Sequence, residues 1–175
     1  MIKAICFDLG DTLIAEVAVT NDSSGQAITA DVIMGAFEVL AAIRKEGYKI
    51  GMIANGDSTG TRNVINSTGL QDYFDAIIIS EEMGIEKPSC GIFQAALARL
   101  GVKAEDAVMV GNRIDTDILG ANRTGMKSVW FRWNHRYSGT IESSQEKPDF
   151  TISSLYELPG ILSSMKIETR IQKPS

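Results

Sequence analysis

The stretch ICFDLGDTLI, residues 5–14, decides how the rest of the chain reads. The apolar run IKAICF ends in Asp8, and a second carboxylate, Asp11, follows three positions on, with Gly10 between them. A short apolar run bounded by turn residues reads as a buried strand, which puts Asp8 at a strand's carboxyl end. Four further runs have the same form: YKIGMIA at 48–54, DAIIIS at 75–80, DAVMVG at 106–111 and MKSVWF at 126–131. DFTIS at 149–153 is a weaker sixth. Continuous apolar strands suit a sheet covered on both faces.

Helical patterns fall between these runs. Asp31 is placed to cap a helix carrying Val32, Ala36, Val39, Leu40 and Ile43 on one stripe and closed by Gly47. Pro88-Ser89 opens a second, with Phe93, Ala96, Leu97 and Leu100 at helical spacing before Gly101. TDILGANRTG is a shorter one ending at Gly125, and SSLYELPGIL reads as a last, Pro-interrupted helix. Alternating strands and helices predict a doubly wound α/β fold with a mainly parallel sheet. Residues 1–165 are expected to form one domain, followed by a polar tail at 166–175. Residues 15–30 break the alternation: EVAV and QAIT flank the turn-rich TNDSSG, a pattern for a β-hairpin flap, with a plain loop as the alternative. That segment is too short for an inserted cap domain, since domains rarely fall below about 50 residues.

A chain of 175 residues with 44 % hydrophobic content can bury an ordinary core. Its net charge of −5 argues against nonspecific nucleic-acid binding. No apolar run approaches the roughly 18–20 residues of a membrane span, and MIKAICFDLG is too soon interrupted for a signal peptide. Cys6 and Cys90 have no metal-ligand spacing and read as thiols of a reducing compartment, so a cytoplasmic location is expected.

Active sites of open α/β sheets lie beyond the carboxyl ends of the strands. The first strand ends in Asp8, the second in ANGDS with Asn55-Gly56, the third is followed by EKPS with Lys87, and the fourth ends in GNRIDTD with Asn112, Asp115 and Asp117. Together they suit phosphoryl transfer. Asp8 would attack phosphorus, a divalent cation would offset the repulsion between carboxylate and phosphate, and backbone N–H groups at Asn55 and Gly56 would cradle phosphate oxygens. Lys87 would neutralise the developing charge, while Asp115 and Asp117 would complete the metal shell or orient Lys87. Singly these are ordinary turn, cap or surface residues. Their order on successive strand ends carries the reading.

FDLGDTL, IANGDS, GIEKPSCGIFQAAL and VGNRIDTDILGANRTGM resemble the motifs of the haloacid dehalogenase superfamily, over residues 1 to about 132. The resemblance implies a Rossmann-like domain, a Mg2+-dependent phosphatase chemistry through an aspartyl-phosphate, and a metal set of Asp8, the Gly10 backbone carbonyl, and Asn112 or Asp117. It also implies phosphate contacts from Ala54, Asn55, Gly56 and Lys87. Three positions depart from the family pattern. Gly10 replaces the usual acid–base Asp, Ala54 replaces a Thr or Ser, and Asn112 replaces a metal-binding Asp.

Asp11 is no obvious substitute for the acid missing at Gly10, because residues three apart on an extended chain do not share a face. A structural role in the turn suits it better, with a catalytic one as the alternative. Loss of an acid–base group costs typically 10²–10⁴-fold, so slow turnover of alkyl phosphates is expected, with acyl and activated aryl phosphates preferred. Two rival readings stand beside the phosphatase: a binding protein on a catalytically degenerate fold, and a metal-independent dehalogenase-type hydrolase. A small flap implies an open site, hence a small or macromolecular phosphorylated substrate and either a monomer or a homodimer. His135 is expected on a surface loop, and Trp130 and Trp133 in packing.

Overall fold

A computed structural model of the chain describes residues 1–171, with side chains to Lys166. Six strands make one parallel sheet in the order β5-β4-β1-β6-β7-β8. They are β1 (Ala4–Phe7), β4 (Lys49–Ala54), β5 (Ala76–Ile79), β6 (Ala107–Gly111), β7 (Lys127–Phe131) and β8 (Phe150–Ile152), each inside one of the six apolar runs. A separate antiparallel pair, β2 (Thr20–Asn21) and β3 (Ala27–Thr29), forms the expected hairpin flap.

Side-chain alternation on β1 divides the interior in two. Ile5 and Phe7 enter one apolar cluster; Ala4 and Cys6 enter another on the opposite face. The first cluster takes in α1 (Ala36–Lys45), α2 (Ser58–Thr68) and α6 (Leu158–Ile171) through Leu40, Ile65 and Leu162. The second takes in α4 (Cys90–Leu100) and α5 (Leu119–Thr124) through Phe93 and Ala121. One-turn α3 (Ser80–Met83) follows β5. This three-layer arrangement is the doubly wound fold expected of buried parallel strands.

Three local expectations are corrected. The first helix begins at Ala36, not after Asp31. Val32 bridges Ile14, and Gly35, at φ +87°, turns the chain into α1. Pro159 does not interrupt the last helix: it occupies the first turn of α6, where its missing N–H costs nothing. That helix then runs through Ile171, into the segment expected to be a polar tail, and residues 172–175 lie outside the described residues. Among the described residues no helix is long and apolar enough to cross a membrane.

Candidate active site

The central strands β4, β1 and β6 end side by side, and their carboxyl ends form the floor of a cavity of about 210 Å3. Asp8 follows β1, Ala54 ends β4, and Asn112 follows β6. Beyond Asn112 the chain enters a π-helical turn, Ile114–Ile118, which brings Asp117 back beneath the strand ends. Position 111 is glycine for a steric reason: a Cβ there would overlap the Asp117 carboxylate.

Lys87 arrives from the far side. Asn55 anchors its backbone, accepting from the Lys87 N–H at 2.9 Å and donating to the Lys87 carbonyl at 3.1 Å. The side chain is buried, 4 % exposed, and Nζ donates to Asp8 Oδ1 at 2.5 Å and to Asp117 Oδ1 at 2.8 Å. Asp117 Oδ2 accepts from the Arg113 N–H at 3.0 Å. Thr12 completes the cluster: its hydroxyl lies 3.2 Å from Asp8 Oδ2 and 3.5 Å from Asn112 Oδ1.

Two buried carboxylates share one ammonium, so the cluster carries surplus negative charge. Burial alone would lower the Lys87 pKa, but Asp117 and Asp8 beside it raise it above the ordinary lysine value. Burial raises Asp117 to about 6 against the pull of Lys87, with Asp8 adding to the rise. These directions agree physically: the ammonium is held charged, and of the two carboxylates one is one too many. Hard oxygen donors with uncompensated charge suit a divalent cation. Asn112 contributes an amide whose buried Nδ2 has no partner, and turning it over would present its oxygen. Among the described residues no cluster of three or more His, Cys, Asp or Glu forms a ready metal site. A cation would therefore rest on the mixed set of Asp8, Asp117 and Asn112.

The other expected residues are placed as follows. Gly10 and Asn55 line the cavity. Gly56 does not; its N–H donates to Ser80 Oγ at 3.0 Å. Asp115 also lies outside, turned to the surface in an ion pair with Arg113 at 2.6 Å. Asp11 is buried but does not line the cavity. Its φ of +49° is the only positive value among the described non-glycine residues, and its Oδ1 accepts from the Glu16 N–H at 3.0 Å. It braces a turn, and it also meets Arg136 at 3.5 Å and, through its carbonyl, the Trp133 indole at 2.6 Å. Trp130 packs on Ile114 and Ile118 and donates to the Asn112 carbonyl at 2.9 Å. His135 is exposed.

Several residues in or beside the cavity were not foreseen. Thr12 sits in the opening stretch, four residues after Asp8. Asp57 caps α2, accepting from Gly60 N–H at 2.7 Å, and Gln26 at the flap's tip donates to the same carboxylate at 2.7 Å. The flap itself supplies Glu16, Val19 and Ala27 to the cavity wall. Hairpins of this kind have no sequence signal for where they fold back.

Comparison with known proteins gives the family. Among curated relatives, glyceraldehyde 3-phosphate phosphatase of Pyrococcus furiosus is 37 % identical over 130 residues, covering 74 % of this chain and 54 % of that protein. Pyrimidine 5'-nucleotidase YjjG of Escherichia coli is 40 % identical over 129 residues, covering 73 % and 55 %. N-acylneuraminate-9-phosphatase of Rattus norvegicus is 36 % identical over 127 residues, covering 73 % and 50 %. The chain thus spans about half the length of the curated relatives it matches. In fold it is similar to a haloacid dehalogenase-type phosphatase from Thermococcus onnurineus, with TM-score 0.76 and 23 % identity over 92 % of this chain and 98 % of that one. It is equally similar to a 2-haloacid dehalogenase from Pseudomonas syringae pv. Tomato DC3000, with TM-score 0.77 and 22 % identity over 94 % and 100 %. A family model for haloacid dehalogenase-like hydrolases matches residues 5–131, and with the strand-end cluster of Asp8, Lys87 and Asp117 already in view, the chain belongs to that family.

Proposed function

We propose that the chain hydrolyses a phosphate ester or acyl phosphate through an aspartyl-phosphate on Asp8. The observation that carries this is Lys87, buried between Asp8 and Asp117 at one end of a cavity open to solvent. Lys87 and Thr12 each hold one oxygen of Asp8, which fixes the carboxylate for in-line attack. The Lys87 ammonium also lies where charge accumulates on the transferring group. Asp8, Asp117 and Asn112 would hold Mg2+, which when bound offsets phosphate charge and aligns it with the nucleophile. The curated relatives are named for glyceraldehyde 3-phosphate, a pyrimidine 5'-nucleotide and an N-acylneuraminate 9-phosphate, which supports a phosphorylated small molecule as the substrate.

One observation favours a second reading, a binding protein on a retired site. Of the two N–H groups expected to cradle phosphate, that of Gly56 is engaged within the protein, donating to Ser80 Oγ. Beryllium fluoride binding in the presence of Mg2+, followed by 19F NMR, separates the two. A bound signal in the native chain that is lost in Asp8→Asn is the expected result. No signal at millimolar Mg2+ would favour the binding protein.

A further inference from the structure

Glu16 opens a 3-10 turn, Glu16–Ala18, at the root of the flap. Its carboxylate is held at one end. Oε2 accepts from the Tyr137 hydroxyl at 2.7 Å and lies 3.3 Å from the Arg136 guanidinium. Burial, then the bond to Glu16, pushes Tyr137 up to about 12, so its hydroxyl stays a donor. Oε1 takes no hydrogen bond among the described residues. That free oxygen lies over Gly10, in the space where a side chain at position 10 would stand. A Cβ on Gly10 would overlap it and come within 3.0 Å of Glu16 Cδ. Gly10 and Glu16 line one cavity with Asp8 and Lys87.

The other carboxylates of that cavity are less free to give up a proton. Asp8 is held by Lys87 and Thr12. Asp117 is fully buried, with both oxygens bonded. Asp57 caps α2, and its bonds to Gly60 and Gln26 keep it below the usual carboxylate range. An alkoxide is a poor leaving group, so alkyl phosphate chemistry needs a proton donor beside the nucleophile. Two carboxylate oxygens of the cavity take no hydrogen bond among the described residues, Glu16 Oε1 and Asp57 Oδ2, and of these Glu16 Oε1 stands over Gly10, two residues from Asp8.

We propose that Glu16 is the catalytic acid and base of phosphoryl transfer, delivered by the flap instead of by the nucleophile's own strand end. This rests on the aspartyl-phosphate reading above. In the first step an Asp8 oxygen forms a bond to phosphorus as the bond from phosphorus to the ester oxygen breaks. Glu16 gives its proton to that oxygen, and the alcohol leaves. In the second step water bonds to phosphorus and loses a proton to the Glu16 carboxylate. The bond between Asp8 and phosphorus breaks with its electrons returning to Asp8, and inorganic phosphate leaves. The sum is ester plus water to alcohol plus phosphate, with both side chains restored.

The test compares the whole chain with Glu16→Gln and Asp8→Asn in Mg2+, on glycerol 3-phosphate and on acetyl phosphate. The value of kcat/KM reports the first step. Glu16→Gln keeps the bond from Tyr137 but cannot transfer a proton. It should lose about 10²–10⁴-fold on the alkyl ester and far less on acetyl phosphate, whose acetate leaves without a proton. A burst of one acetate per chain should appear on acetyl phosphate as the second step slows. Gly10→Asp combined with Glu16→Ala, which returns a carboxylate to the same space, should recover part of the alkyl activity. Equal losses on both substrates, or none, would overturn the assignment. Native turnover that Asp8→Asn does not abolish would instead overturn the aspartyl-phosphate reading, and the role of Glu16 with it.

Discussion

Replacing Asp117 with Asn should make the metal-free protein more stable, by an amount that depends on pH. Asp117 is fully buried beside Asp8, with only Lys87 to balance both charges. Burial, more than Lys87 can offset, raises it from 3.8 to about 6. A raised carboxylate pKa means that the folded state binds the proton more tightly than the unfolded state. Its contribution is therefore favourable below about pH 4, falls as pH rises to about 6, and is flat above. The rise is worth about 3 kcal/mol at about 1.4 kcal/mol per pKa unit. Asparagine has the shape of the neutral acid and does not titrate. The difference in unfolding free energy between Asp117→Asn and the native chain should be near zero at about pH 3.5 and about 1 kcal/mol at pH 4.5. It should grow to about 3 kcal/mol by pH 8, or about 6–12 °C in Tm for a chain of this size. Whichever of Asp8 and Asp117 carries the proton, the variant removes the second charge. Urea unfolding in EDTA at half-unit pH steps measures it. A difference that stays flat with pH, or a variant less stable than the native chain at pH 8, would refute the account of the cluster as overcharged.

Lys87→Met leaves two buried carboxylates facing each other and should cost about 3–5 kcal/mol at pH 8, read by urea midpoint, with a smaller loss at pH 5 as one carboxylate takes a proton. Gly111→Ala drives a methyl group into the Asp117 carboxylate and should cost about 1–3 kcal/mol by thermal unfolding. Gln26→Ala removes the single side-chain bond from the flap's tip to Asp57. It should leave the Tm within a few degrees while speeding protease cleavage between residues 20 and 29.

The sheet was legible because a strand buried on both faces must be apolar at every position, as IKAICF and DAVMVG are. Gly101 and Gly125 marked helix ends because each adopts a positive φ that other residues resist. Asp31 misled because a cap residue and a residue in an extended bridge segment look alike in one dimension. Asp8, Lys87 and Asp117 were readable from their places after successive strands. Gly56 and Asp115 were not separable from site residues by position alone: their fates depend on Ser80 and Arg113, which fold in from elsewhere. Glu16 had no signal at all. One acid in a flap acquires meaning only when the space above Gly10 is seen to be filled.

The mouth of the cavity is joined across the length of the chain. Trp133 bonds to Asp11 across 122 residues, and Tyr137 to Glu16 across 121. Both are side-chain bonds at the rim of the cavity, outside the pairing of the sheet, so the sheet can form without them. The nucleophile's strand, pairing with its neighbours β4 and β6, can assemble before the flap's root is clamped by the segment after β7. A refolding chain should therefore regain its far-ultraviolet ellipticity ahead of the rise in Trp133 fluorescence. Turnover should return with the slower signal, so that the chemistry is switched on by the last stage of folding.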